Sequence, residues 1–356
     1  MSKNKILIGC AVLIVAVLGV VFAFTQGDKT STGIPAREKP LQVGIIQNIK
    51  TLDAAVDGFK LGLTEAGYKE GVDIVYQYQS ADGNIDKIKQ IADEYIAQDV
   101  DLILTITPSP ARVALERTRL AGKPIPIVFT HGVAVVESGL VESYKSSGNN
   151  LTGVVPDEPN LMAKKLEFLK QINPATKKVG VFYTSKQENP GTILVLKVMH
   201  EKAPSLGIEI VEYDLKTPAS PESTVVMQRT ADAIKPGEVD AILTIPDTAV
   251  NYKDNPDILI EIGRKLKIPI LFITTPQVLK GGLFSYRQDD VAFGKQASVL
   301  ADKIFRGTLP ADIPLELANK YILVINLRVA KELGLTIPPS MLSIADQVIP
   351  ADQPAP

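Results

Sequence analysis

From Leu41 onward, short runs rich in Val and Ile alternate with longer segments whose apolar residues recur at helical spacing. Continuous apolar runs bounded by turn residues signal buried strands, and the 3.6-residue spacing signals amphipathic helices. Their alternation predicts βα units around a parallel sheet. Strands are expected over 42–47, 73–79, 101–106 and 125–130, with helices over 52–66, 85–98 and 111–121. A second series has strands over 178–183, 208–213, 240–245 and 268–273 and helices over 161–172, 193–202, 224–234 and 258–266. The chain continues with a helix over 291–305, a strand over 321–325 and a short helix over 327–333.

The two series are copies. Asp101-Leu-Ile-Leu-Thr-Ile106 returns as Asp240-Ala-Ile-Leu-Thr-Ile245, Val43-Gly44-Ile45 as Val179-Gly180-Val181, and Ile125-Pro126-Ile127 as Ile268-Pro269-Ile270. All three pairs lie about 140 residues apart and in the same order, which marks an internal repeat and hence two similar domains. Two open parallel sheets with ligand-prone strand C-termini can face one another across a cleft. The trailing elements are explained most simply if the chain returns to the first lobe and leaves it again, making several hinge strands.

Before the repeat, residues 6–24 carry neither charge nor proline, and as a helix they would span roughly 28 Å, the thickness of a bilayer core. Lys3 and Lys5 precede the run, which keeps the N-terminus cytoplasmic and places the rest outside. Cys10 follows Leu7-Ile8-Gly9 in a lipobox-like order, yet the apolar run comes after the cysteine, opposite to what lipid attachment requires. Val21 and Ala23 offer a signal-peptidase site, although the run is longer than the ~7–15 residues of a cleaved signal. An uncleaved anchor is the favoured reading. Residues 25–40 read as a flexible linker.

Composition narrows the function further. The 356 residues are 45% hydrophobic with a net charge of -2, and the charges are mixed along the chain, which argues against nucleic acid as a partner. Cys10 is the single cysteine, so the folded part has no disulfide and no thiolate metal site. Of the two histidines, His200 precedes Glu201 with no second histidine a turn later, and reads as a solvent-facing helix residue. No Walker loop, nucleophile elbow or dinucleotide fingerprint follows any strand. No catalytic residue, metal or cofactor is expected.

A cleft would be lined by the loops that follow the strands. In the first lobe these hold Gln47 and Asn48, Thr107 and Ser109, and His131. Thr107 and Ser109 sit before a helix, where hydroxyls and free N–H groups either hold an anion or only cap the helix. His131 is either a cleft residue or a satisfied core histidine. In the second lobe the candidates are Ser185, Asn189, Asp247, Thr248 and Thr275. Asp247 is either the acidic partner of a ligand's ammonium or an N-cap. Tyr183, Tyr252 and Tyr286 could stack on a ligand or pack at the rim.

From about Leu41 to Ile349 the residues resemble the ABC-transporter substrate-binding proteins of the tryptophan/tyrosine-binding type. The resemblance rests on Asp57-Gly58-Phe59 with Leu63 and Gly67-Tyr68, on Asn150-Leu-Thr-Gly-Val154, on Val239-Asp-Ala-Ile242 with Asp247, and on Asn326-Leu-Arg-Val-Ala-Lys-Glu-Leu-Gly-Leu-Thr-Ile-Pro338. It implies an α/β fold of two Rossmann-like lobes with parallel sheets joined by hinge strands, periplasmic binding protein type I-like, and the apolar run adds one N-terminal transmembrane helix before it. It also implies a small-molecule ligand, often an amino acid, and partners in an ABC permease and its ATPase. The loops at 107–109 and 185–189, with Asp247 and Thr275, correspond to its ligand-contacting positions. His131-Gly132 and Asp247-Thr248 stand where the family has Asp-Pro and Asp-Asn, which leaves the ligand's identity open.

The expected layout is a cytoplasmic N-terminus over 1–5, the anchor over 6–24, the linker over 25–40, lobe 1 over 41–153 and 286–312, lobe 2 over 154–285 and 313–349, and a tail over 350–356. The expected location is the cell membrane, single-pass, with the folded part extracytoplasmic. Two other classes compete: a ligand-sensing module for a membrane receptor, and a two-lobed glycosyltransferase-like enzyme. Against the enzyme stand the outward-facing anchor and the lack of a loop built for pyrophosphate.

Overall fold

The computed structural model describes residues 38–48, 50–186 and 189–354. The expected anchor over 6–24, most of the linker and the last two residues of the tail lie outside the described residues. Among the described residues no helix is long and apolar enough to cross a membrane.

The first series forms β1 (Leu41–Gln47), α1 (Asp53–Glu65), β2 (Ile74–Ser80), α2 (Ile85–Ala97), β3 (Leu102–Ile106), α3 (Pro108–Leu120), β4 (Ile127–Thr130) and β5 (Leu151–Val155). The second forms α4 (Glu158–Ile172), β6 (Lys178–Tyr183), α5 (Pro190–Lys202), β7 (Glu209–Asp214), α6 (Pro221–Ala233), β8 (Ala241–Leu243), α7 (Asn255–Leu266), β9 (Ile270–Phe272), α8 (Thr275–Lys280) and β10 (Phe284–Gln288). The chain then returns to the first lobe as α9 (Asp290–Phe305) and β11 (Glu316–Leu317). It goes back to the second as β12 (Tyr321–Asn326), α10 (Leu327–Glu332), α11 (Pro339–Ile344) and β13 (Gln347–Ile349).

The sheet orders are β11-β5-β4-β3-β1-β2 and β13-β12-β10-β9-β8-β6-β7. Removing the late strands leaves β5-β4-β3-β1-β2 and β10-β9-β8-β6-β7, one order repeated, which is the internal repeat in three dimensions. Each sheet carries an apolar cluster on both faces. In the first lobe Val43, Ile45 and Leu104 meet α1 and α9 on one side, while Ile46, Ile103 and Phe129 meet α2 and α3 on the other. In the second, Val179, Val181 and Leu243 face α4 and α5, while Phe182, Ile242 and Phe272 face α6 and α7.

Three crossings join the lobes, after β5, after β10 and after β11. The breaks expected at 153, 285 and 312 fall a few residues later, because ladder hydrogen bonds run on: β5 continues to Val155, β10 to Gln288, and β11 pairs with β5 in the first sheet. Backbone bonds lace the crossings together, Ala318 N–H to Val155 O at 2.9 Å and Asp289 N–H to Lys320 O at 3.0 Å. Among the described strands, β10 with β12 is the antiparallel pair, and Gln288 and Tyr321 face each other at its hinge end. The chain therefore leaves β5 and β10 at their C-terminal ends. Since β5 is parallel to its sheet neighbours and β10 to β9, both sheets point their C-terminal edges at the hinge.

The return of the chain depends on one helix crossing. A Cβ added to Gly294 of α9 would stand 1.9 Å from the Ala55 carbonyl oxygen of α1, and one added to Gly58 would stand 2.1 Å from that of Val291. Only hydrogen fits at either place. Glycine in a helix normally costs about 1 kcal/mol against alanine, but overpacking costs about 1–3 kcal/mol, so the packing effect wins here. Gly294→Ala should therefore lower the midpoint of chemical unfolding, despite its better helix propensity. A raised midpoint would show that α1 and α9 are free to move apart.

Candidate functional site

Because both sheets aim their C-terminal edges at the hinge, the loops after β1, β3 and β4 confront those after β6, β8 and β9. The two walls touch: a Cβ added to Gly191, in the first turn of α5, would stand 3.2 Å from Val133 Cγ1 in the loop after β4.

In the first lobe, Gln47 is fully buried at the end of β1, and its amide donates to Asp53 Oδ1 at 2.7 Å. Its carbonyl accepts the N–H of Asn48 at 2.8 Å. Asn48 in turn donates to Thr107 Oγ1 at 3.3 Å, while its own buried Oδ1 has no partner among the described residues. Thr107 has φ 81° and ψ 159°, a region open in practice only to glycine. A β-branched residue there is held by its surroundings: its N–H donates to Thr130 O at 3.1 Å, and Pro108 fixes the start of α3 behind it. Ser109 lies in the first turn of α3.

His131 opens the loop after β4. Its Nε2 is 3.2 Å from Asp290 Oδ1, its Nδ1 2.9 Å from Thr130 Oγ1, and its ring meets Phe293 edge-on at 4.6 Å. Both ring nitrogens of His131 are thus engaged within lobe 1. Arg287, at the end of β10, also binds Asp290. Burial alone would raise the Asp290 carboxyl, but His131 and Arg287 outweigh it and hold it below its ordinary value. The start of α9, after the second crossing, is thus pinned to the end of β4 by a buried cluster of hydrogen bonds and one ion pair.

In the second lobe, Asp247 is buried and its carboxylate accepts four hydrogen bonds. Oδ1 takes the N–H groups of Ala249 and Val250 at 2.9 and 3.2 Å, and Oδ2 takes Thr184 N–H and Thr192 Oγ1–H at 3.2 Å each. Burial pushes its pKa up and these four donors pull it back. An ionised carboxylate has about four accepting directions, and all of them are used inside the lobe. Asp247 ties the loop after β8 to that after β6 and to α5. Thr248 follows it in the loop after β8, and Thr275 opens α8. Asn189 caps α5, accepting from Gly191 N–H at 3.0 Å. Ser185 donates both its hydroxyl and its N–H to Asp214, at 2.6 and 2.9 Å, on the exposed rim.

Asn251, beyond the strand-end positions considered above, and Thr274, in the same strand-end loop as Thr275, also lie after strands of this sheet. Asn251 donates to Ile245 O and Asp247 O, leaving its buried Oδ1 without a partner among the described residues, and the buried hydroxyl of Thr274 is likewise unpaired. Each follows a strand of the second sheet, and that position was the available signal. Buried polar atoms left unpaired cost about 1–3 kcal/mol, so they mark places where a ligand or water completes the bonding. Among the described residues no cluster of His, Cys, Asp and Glu is set to hold a metal ion.

These features define a two-lobed α/β binding protein with a polar cleft between repeated sheets. The chain belongs to the family of ABC transporter substrate binding proteins, which it matches over residues 42–349, and this is a family of solute-binding proteins rather than enzymes. It is 28% identical to the "Tyrosine-binding protein" of Clostridioides difficile over 334 residues, 92% of this chain and 91% of that one. Among solved structures, it is similar to an ABC domain in complex with L-Trp from Streptococcus pneumonia, with 25% identity and TM-score 0.74, covering 87% of this chain and 100% of that one. It is also similar to a ligand-free, open substrate binding protein with adhesive properties from Clostridium difficile, with 25% identity and TM-score 0.71, covering 87% and 99%.

The carboxylate of Asp247 makes a direct prediction. Asp247→Asn points an amide NH2 at N–H donors that now bind an oxygen, so ligand-free stability in urea should fall by about 1–3 kcal/mol. Unchanged stability would mean that the four bonds contribute nothing to the lobe.

Proposed function

We propose that this protein captures an amino acid with an aromatic side chain in the cleft between its lobes and delivers it to an ABC permease and its ATPase. The observation that carries the reading is the confrontation of two repeated sheet edges across a laced hinge, in a chain of the substrate-binding family. The names of the relatives supply the ligand class, since one is a tyrosine-binding protein and another was solved with L-Trp. The unpaired atoms of Asn48, Asn251 and Thr274 are suited to the polar end of such a ligand. Asp247 and Asn189 hold the loops that present the second wall. The apolar run over 6–24 keeps the chain in the membrane with its lobes outside the cytoplasm.

The protein contains no tryptophan and ten tyrosines, so bound L-tryptophan can be followed by its own emission. Titration should give a saturable shift in that emission, with L-tyrosine competing and glycine failing to compete. No saturable change with L-tryptophan, together with no rise in melting temperature with L-tyrosine or L-phenylalanine, would overturn the ligand class. The same preparation, extracted from membranes, should have the intact mass of the full 356 residues. A mass beginning near residue 24 would remove the anchor.

A further inference from the structure

A cavity of about 370 Å³ lies beside the hinge, and of the candidate residues named above Tyr286 is the one that lines it. Its walls are one face of α4, with Leu161, Lys164 and Glu167, and all three crossings, through Asp157, Tyr286 and Tyr321. The two tyrosine rings stand with centroids 5.7 Å apart and planes inclined by 35°. Phe168 supports Tyr286 edge-on from behind at 5.3 Å.

The charges around the tyrosines decide what the cavity suits. Lys164 is the cation among the residues named, but its Nζ is 2.9 Å from Glu167 Oε2 and lies over the Phe168 ring at 5.0 Å. That pair is neutral. Asp157 accepts one bond, from Asn160 Nδ2 at 2.6 Å, which cancels no charge. Glu158 and Lys165 are buried nearby, and burial pushes each toward its neutral form, the carboxyl up and the ammonium down to about 8. Burial raises the Tyr321 hydroxyl, and the negative charge of Asp157 raises it further; at Tyr286, Lys164 and Asp346 act in opposite directions. Two electron-rich ring systems with one uncompensated carboxylate recognise a positive charge.

We propose that the hinge cavity binds a small organic cation, its ammonium group against Tyr286 and Tyr321 and near the carboxylate of Asp157. The site uses none of the strand-end loop residues described for the two cleft walls and stands whether or not the cleft takes an aromatic amino acid. The probe is tetramethylammonium chloride, titrated calorimetrically into the full-length protein in detergent and compared with sodium chloride at equal ionic strength. The expected result is saturable binding that Asp157→Asn and Tyr321→Leu each weaken by about threefold to tenfold, the size of one cation–π or ion contact. Asp86→Asn, which removes the same charge from the exposed face of α2, should leave it unchanged. Absence of saturable binding to the wild type would overturn the proposal. So would an affinity that is the same in Asp157→Asn as in the wild type, a comparison that does not depend on how well the tyrosine variant folds.

Discussion

The structure depends on the antiparallel pairing of β10 with β12 at the hinge. Every other pairing among the described strands is parallel, and parallel βα repeats alone would build two separate domains. Pairing Gln288 with Tyr321 fixes the direction in which the chain leaves and re-enters the second sheet. The ladder from Ala318 to Val155 does the same for the first. With those directions set, the C-terminal edges of both sheets point inward, and the loops that follow the strands become the walls of one cleft.

Backbone irregularity gathers where that cleft is formed. Thr107, His131 and Ala134 all have positive φ, at 81°, 60° and 53°, and all lie in the loops after β3 and β4. Such conformations cost about 1–3 kcal/mol each and persist only where the surroundings over-determine them. Here the surroundings are a hydrogen bond from Asn48, the proline at the start of α3, and the buried cluster from His131 through Asp290 to Arg287. The opposite wall is held differently. Asp247 gathers three backbone N–H groups and one hydroxyl, so a single buried carboxylate aligns the loops after β6 and β8.

The repeat made most of this fold legible. Strands from Val/Ile runs and helices from apolar spacing were readable because each buries one face or both against a layer, and the recurrence of Asp101–Ile106 as 240–245 announced two lobes. What escaped were β5, β10, β11, β13 and the short helices α8 and α11. β5 contains Gly153, a weak strand residue on its own, present because a Cβ there would stand 2.4 Å from Phe129 O. β10 reads Phe-Ser-Tyr-Arg-Gln, polar because its last residues run past β9 to the hinge, where β12 is their partner strand. The site was legible by position but not by role. His131 and Ser185 fall at strand ends as expected, yet their partners Asp290 and Asp214 are 159 and 29 residues away, and no local pattern announces such a contact.

The central claim is that the two walls meet and close on a ligand. A Cβ placed on Gly191 would lie 3.3 Å from Val133 Cβ, close to the ~3.5–4.5 Å spacing that a disulfide bridges. The most direct measurement is the oxidation of Val133→Cys with Gly191→Cys, in a protein that also carries Cys10→Ser, with and without L-tryptophan or L-tyrosine. The account predicts a cross-link that forms faster with ligand present and then retains that ligand through dialysis until a reductant is added. A pair that never oxidises, or that oxidises at one rate regardless of ligand and lets the ligand exchange freely, would contradict it.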